Sequence, residues 1–208
     1  METHRYQALL LVGPTGSGKT PLGRFFEKNG LNGRACHHFD FGENLRQAAA
    51  CGHTDISETD RRFLEGVLHG GALLENDTFY LAESILSAFI KDRQVGNNDL
   101  LVLNGLPRHL DQARDTDRLV NIQALVHLVC TPEGVCRRIA ENTGKDRTGR
   151  IDDTPEEIAR KLDVFNRRTL PLIEYYRDRG ARIWAVAATV DATPADMACL
   201  VASGYATE

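Results

Sequence analysis

The chain has 208 residues, of which 42% are hydrophobic and 26% charged, with 18 Gly and 7 Pro. That length suits one large domain carrying small insertions, and the composition excludes disordered, collagenous and fibrous classes. Against 29 acidic residues stand 25 basic ones, a net charge of −4, so no bulk field draws nucleic acid or anionic lipid and any polyanion must be met locally.

The aliphatic stretch Ala8 to Val12 is far short of the ~20 residues a membrane-spanning helix needs. The segment Met1-Glu2-Thr3-His4-Arg5 lacks the basic and apolar regions of a secretory leader, so a cytoplasmic chain is expected, with no membrane and no nucleic acid among its partners. Five cysteines, Cys36, Cys51, Cys130, Cys136 and Cys199, are scattered without a Cys-x-x-Cys pair, which argues for reduced, mostly buried thiols rather than a disulfide framework or zinc site.

Short apolar runs alternate with longer stretches of helical periodicity, the pattern of an α/β parallel sheet covered by helices. Strands are expected at Gln7 to Val12, Ala35 to Phe39, Leu100 to Asn104, Leu125 to Cys130 and Arg182 to Val186. Helices are expected near Lys19 to Asn29, Ser57 to His69, Glu75 to Gln94, Gln112 to Asn121, Glu133 to Asn142, Pro155 to Arg179 and Pro194 to Val201. About 60 residues of helical pattern between the second and third strands exceed one crossover helix and imply a helical insertion, about residues 42–98. A second irregular patch, about 141–153, is rich in Gly, Thr, Arg and Asp and reads as a mobile surface loop. The whole of 1–208 is thus one domain with two insertions.

The strongest motif is Gly13-Pro14-Thr15-Gly16-Ser17-Gly18-Lys19-Thr20, set between an apolar strand and a helix. It matches the P-loop pattern, whose glycines let backbone N–H groups approach a phosphate chain at a helix N-terminus. Lys19 then reaches the β- and γ-phosphates, and the Thr20 hydroxyl is placed to ligate Mg²⁺. A second motif, Asn104-Gly105-Leu106-Pro107-Arg108 followed by Gln112, ends a strand in a turn that presents an arginine. If the chain turns helical after Pro107, Arg108 and Gln112 face the same way, one able to fork a phosphate and the other to read a base edge.

Taken together, these segments resemble the adenylate kinase family. Asn104-Gly-Leu-Pro-Arg108-x-x-x-Gln112 is similar to that family's Asp-Gly-Phe-Pro-Arg-x-x-x-Gln. His38-Phe39-Asp40-Phe41-Gly42-Glu43-Asn44-Leu45-Arg46 resembles its segment ending Ser-Thr-Gly-Asp-x-Leu-Arg. Arg150-Ile151-Asp152-Asp153 and Leu170-Pro171-Leu172-Ile173-Glu174-Tyr175-Tyr176 are similar to Arg-x-Asp-Asp and Pro-Leu-x-x-Tyr-Tyr. The likeness spans residues 7 to 186.

The resemblance implies a P-loop NTPase-type fold with a five-stranded parallel sheet, a monophosphate-binding insertion and a short lid. It implies transfer of a phosphoryl group from ATP to a nucleoside monophosphate, AMP above all, with Mg²⁺ as cofactor and a monomer as the working unit. The phosphate loop Gly13 to Thr20 would hold ATP, with Arg138 stacked on its base. Arg46 and Arg108 would grip the acceptor phosphate, Gln112 would bond the acceptor adenine, and Phe41, Gly42, Leu73 and Gly105 would line that site. Lys19, Arg108, Arg138, Arg150 of the lid and Lys161 would neutralise the transferring phosphates, and Thr20 and Asn104 would serve the metal. The lid segment is short and contains no cysteine, so the zinc-binding lid variant is not expected.

Several positions depart from the pattern. Asn104 stands where the family has an aspartate that holds the water shell of Mg²⁺, and Thr20 replaces a glycine. Phe41 replaces a threonine that faces the acceptor base, removing a hydroxyl and adding an aromatic face. The arginine one turn after Arg138 is Asn142 here, with Lys145 and Arg147 nearby. Another family arginine is Lys161, which cannot form a bidentate fork. Asp40, with Glu43 three residues on, reads as a capping box rather than a ligand, and Lys145, Arg160 and Arg179 read as solvated charge. Beside the adenylate kinase reading stand two others: a P-loop kinase for a different small acceptor, and a nucleotide-binding protein with weak turnover.

Overall fold

The computed structural model describes residues 5–51, 56–70, 73–146 and 153–206. Five strands, β1 (Tyr6–Val12), β2 (Cys36–Asp40), β3 (Leu100–Asn104), β4 (Val120–Val129) and β5 (Arg182–Ala187), form one sheet in the order β2-β3-β1-β4-β5. Every pairing is parallel. The expected α/β class and the five-stranded parallel sheet are both present. The strands are short, Leu- and Val-rich and covered on both faces, as parallel strands must be when crossover helices flank them. Residues of alternating parity feed two cores. Ala8, Leu10, Leu101 and Leu103 point to one face, and Leu9, Leu11, Leu100 and Val102 to the other.

Helix α1 (Lys19–Asn29) follows the phosphate loop and packs on β2 and the last helix, α9 (Pro194–Ala206). Pro21 falls in the first turn of α1, where its missing N–H costs nothing. The insertion supplies α2 (Phe41–Cys51), α3 (Glu58–Gly70) and α4 (Phe79–Asp92). No separate helix was expected at α2, although Leu45, Ala48 and Ala49 bury at helical spacing.

Helix α5 is shorter than its expected span and runs Leu110–Thr116. Tyr6 pairs with Val120, so sheet pairing claims residues that helical periodicity had assigned to the helix, and β4 starts five residues early. Helix α6 covers Pro132–Ala140, capped by Thr131. The expected single helix from Pro155 to Arg179 is divided into α7 (Pro155–Val164), a π turn (Phe165–Thr169) and α8 (Leu172–Arg177). Pro171 has no N–H to continue the ladder, and Leu170 N bonds to Phe165 O in the wider π spacing.

The described cysteines are all free thiols, but only Cys36 is fully buried; Cys136 and Cys199 are exposed, because each sits on the outer face of a surface helix. Among the described residues no helix is long and apolar enough to cross a membrane. The loop expected at 141–153 is described only at 141–146 and 153, and Arg147 and Arg150 lie outside the described residues.

Candidate active site

Parallel pairing brings the carboxyl ends of β2, β3 and β1 to one edge of the sheet, where ligands bind in open α/β folds. In register, Asp40 pairs with Asn104 and Asn104 in turn with Leu11, two residues before Gly13. A cleft of about 310 Å³ opens there.

One wall is the phosphate loop, which contributes Gly13, Thr15, Gly16, Gly18, Lys19 and Thr20. Gly16 and Gly18 have φ of +74° and +95°, left-handed conformations that a side chain would strain, and a Cβ on Gly16 would meet Ile139 Cγ1 at 2.8 Å. Pro14 and Ser17 build the loop from within, Ser17 N donating to Pro14 O at 3.3 Å. The Ser17 hydroxyl is buried without a hydrogen-bond partner. Lys19 Nζ donates to the carbonyls of Gly13 and Pro14 at 2.6 and 2.7 Å, which curls the ammonium back along the loop.

Three polar side chains meet below Lys19. Thr20 Oγ1 donates to Asp40 Oδ2 at 2.7 Å, and Asn104 Nδ2 donates to both Thr20 Oγ1 (3.0 Å) and Asp40 Oδ2 (2.8 Å). The other Asp40 oxygen accepts from Glu43 N at 3.1 Å, capping α2 as the sequence implied. The reciprocal half of the capping box is absent, because the Glu43 carboxylate pairs with Arg24 at 3.3 Å.

The opposite wall carries the acceptor candidates Phe41, Gly42, Arg46, Leu73, Gly105, Arg108 and Gln112. Arg108 follows the cis Leu106–Pro107 peptide. Burial, together with the Arg168 and Arg160 cations beside it, pushes the Arg108 guanidinium down to about 10. A cation crowded by cations in a cleft is a site that an anion relieves. Lys161 also lines the cleft, and so does Arg160, which the sequence reading had placed in solvent. Both project from α7 at the rim of the cleft, Lys161 partly buried and Arg160 still exposed, where it holds Glu157 at 2.8 Å.

Two expected contacts are arranged differently. Gln112 is only 1% exposed, and its amide is used within the protein: Nε2 donates to Leu74 O at 2.8 Å and Oε1 accepts from Arg108 N at 2.8 Å. Arg138 lies behind the phosphate loop rather than on the cleft wall. Its guanidinium donates to Gly16 O (3.0 Å) and to the carbonyls of Thr189, Val190 and Ala192, tying the loop to the segment before α9. Burial holds its pKa below the usual arginine value.

Sheet order, phosphate loop and convergent cations define a P-loop phosphotransferase. No family model matches the chain. Among curated proteins it is 32% identical over 178 residues to an adenylate kinase of Stenotrophomonas maltophilia, covering 83% of this chain and 86% of that one. It is 31% identical to one from Nitrobacter hamburgensis, with 83% and 80% covered. It is also 27% identical to UMP-CMP kinase 1 of Oryza sativa, with 83% and 64% covered. Among solved structures, a gluconokinase from Sinorhizobium meliloti shares the fold, with a TM-score of 0.53 at 17% identity over 98% of this chain and 94% of that one. The chain belongs to the adenylate kinase family and is an ATP-dependent phosphotransferase.

Proposed function

We propose that the protein transfers the γ-phosphoryl group of ATP to a nucleoside monophosphate, AMP in the first place, in the presence of Mg²⁺ and as a monomer. The observation that carries this reading is that Lys19 of the phosphate loop and Arg46, Arg108, Arg160 and Lys161 line one cleft, across from each other. Phosphoryl transfer requires little covalent help and runs on alignment and charge neutralisation, so such a set suffices without a general base.

Lys19 and the loop N–H groups take the donor phosphates, and Arg46 and Arg108 take the acceptor phosphate. Phe41, Leu45, Val67, Leu73 and Leu74 supply an apolar cup for the acceptor base. Lys161 and Arg160 bring positive charge between the two. The oxygen set of Thr20, Asp40 and Asn104 fits a hard cation held through few protein ligands, and Mg²⁺ bound there would shield the donor phosphates. Arg138 braces the loop beside which the ATP base is assigned, and Arg150 is assigned to the lid by resemblance.

Selection of adenine by Gln112 requires its amide to leave Leu74 O and Arg108 N, and that observation keeps a different acceptor as the second reading. ADP formation from ATP with AMP, CMP, UMP and GMP, in the parent and in Gln112→Leu, tests both. Preference for AMP that Gln112→Leu weakens by ~10-fold or more in kcat/KM supports adenine readout, since a site built to bond an amide edge discriminates strongly. ADP formation driven by another compound and never by AMP overturns the AMP reading. Tight ATP binding with no turnover on any acceptor would favour the nucleotide-binding reading.

A further inference from the structure

The donor side of the cleft needs negative charge near Thr20 if a divalent cation is to accompany ATP, because Mg²⁺ is held through one or two carboxylates together with substrate phosphates. Asn104 at the end of β3 brings only a neutral amide. Among the described residues lining the cleft, the acids are Asp40 and Asp146. Of the two, Asp40 touches Thr20, with Oδ2 2.7 Å from the threonine hydroxyl and 2.8 Å from Asn104 Nδ2.

We propose that Asp40 is the metal-serving carboxylate of this enzyme, with Thr20 as the neighbouring oxygen ligand and Asn104 as the residue that aims Asp40. This rests on the donor site proposed above. The side chain is fixed at both ends: Oδ1 accepts from Glu43 N at 3.1 Å at the start of α2, and Oδ2 is left facing Thr20 and Asn104. Strand register explains how charge can change strands without leaving the site, since Asp40 and Asn104 are paired neighbours on β2 and β3. Relative to the family segments quoted above, Asp stands here for Ser and Asn for Asp, so one carboxylate remains in the pair and has moved by one strand. Asn104 Nδ2 donates to the carboxylate at 2.8 Å and so fixes the direction in which Oδ2 faces.

The alternative is that Asp40 only caps α2. Asparagine and serine cap as well as aspartate, so Asp40→Asn and Asp40→Ser remove the charge and keep the cap. The measurement is the dissociation constant of ATP by calorimetry without acceptor, with Mg²⁺ and with EDTA, alongside the melting temperature. In the parent, Mg²⁺ is expected to tighten ATP binding. Either substitution is expected to remove most of that tightening, ~10-fold, while affinity for metal-free ATP stays or improves and melting shifts little. Asp40→Asn combined with Asn104→Asp, which returns the charge to β3, is expected to restore it. Metal-dependent tightening that survives in both single variants overturns the proposal, as does a double variant no better than Asp40→Asn. Failure of the parent to bind ATP in any buffer would instead remove the donor site itself, and this inference with it.

Discussion

Arg108 illustrates how a single side chain can be held at electrostatic cost. Its cation is half-buried near Arg160 and Arg168, which drives its pKa down to about 10, so below that pH the folded protein carries a charge it holds less comfortably than the unfolded chain does. Replacing it by Met should therefore leave the ligand-free protein as stable or up to ~3 °C more so in melting temperature. The same change should lower kcat/KM by about 10²–10³-fold, the usual cost of one charge-stabilising donor. Thermal melts and acceptor kinetics on Arg108→Met check both. A loss of stability equal to that of a buried structural residue would show that Arg108 serves the fold and not an anion. Arg108 was legible in the sequence because a strand, a Gly-x-Pro turn and an arginine are contiguous. The place of Arg160 at the cleft rim was not, since an exposed charge next to Lys161 on a polar helix gives no sign of which cleft it borders. The engagement of the Gln112 amide was equally hidden, because Leu74 lies 38 positions away.

At the level of elements, β2 and α1 meet through an unusual pair. Gly23 of α1 gives up its side chain so that the His38 ring can sit against the helix: a Cβ there would come within 2.1 Å of His38 Cδ2. His38 Nε2 is buried without a partner, and burial lowers the imidazole pKa below 6.5. The unfolded chain therefore binds a proton at higher pH than the folded one, and stability falls as pH drops below about 6.5. His127, also lowered by burial, adds in the same direction. Melting temperature measured from pH 7.5 to 5 should fall less steeply in His38→Leu than in the parent, and Gly23→Ala should cost ~1–3 kcal/mol at any pH from overpacking. Identical slopes in the parent and His38→Leu would assign the acid sensitivity elsewhere. Element type and order were readable because apolar runs and helical spacing are local signals. The early start of β4 and the π turn at Phe165–Thr169 were not, since one depends on Tyr6 pairing over a hundred residues away and the other on packing around the cleft. That turn also reaches the site, with Thr169 Oγ1 donating to Arg108 O at 2.8 Å.

Across the whole molecule the two walls of the cleft are anchored by different ties. The donor wall is secured by Arg138, which joins the phosphate loop to the 189–192 segment. The acceptor wall is secured where the middle of the insertion meets α5 and the π turn: His109 and Gln112 both reach Leu74 O, and Arg168 forks Glu75 with bonds of 2.6 and 2.8 Å. The Arg168 guanidinium holds the Glu75 carboxyl below its ordinary range, so this tie persists at neutral pH and is lost only in acid. Both partners are partly solvated, which limits such a pair to ~0.2–1 kcal/mol, or about 1.4- to 5-fold in a binding constant. Separate anchoring predicts a separable effect. Glu75→Gln breaks the fork but keeps the Arg168 cation, and should raise the acceptor KM by up to ~5-fold while the dissociation constant of ATP stays the same. Should ATP affinity fall in step with acceptor affinity, the insertion and the phosphate loop would have to respond as one body, and the independence of the two walls would be refuted.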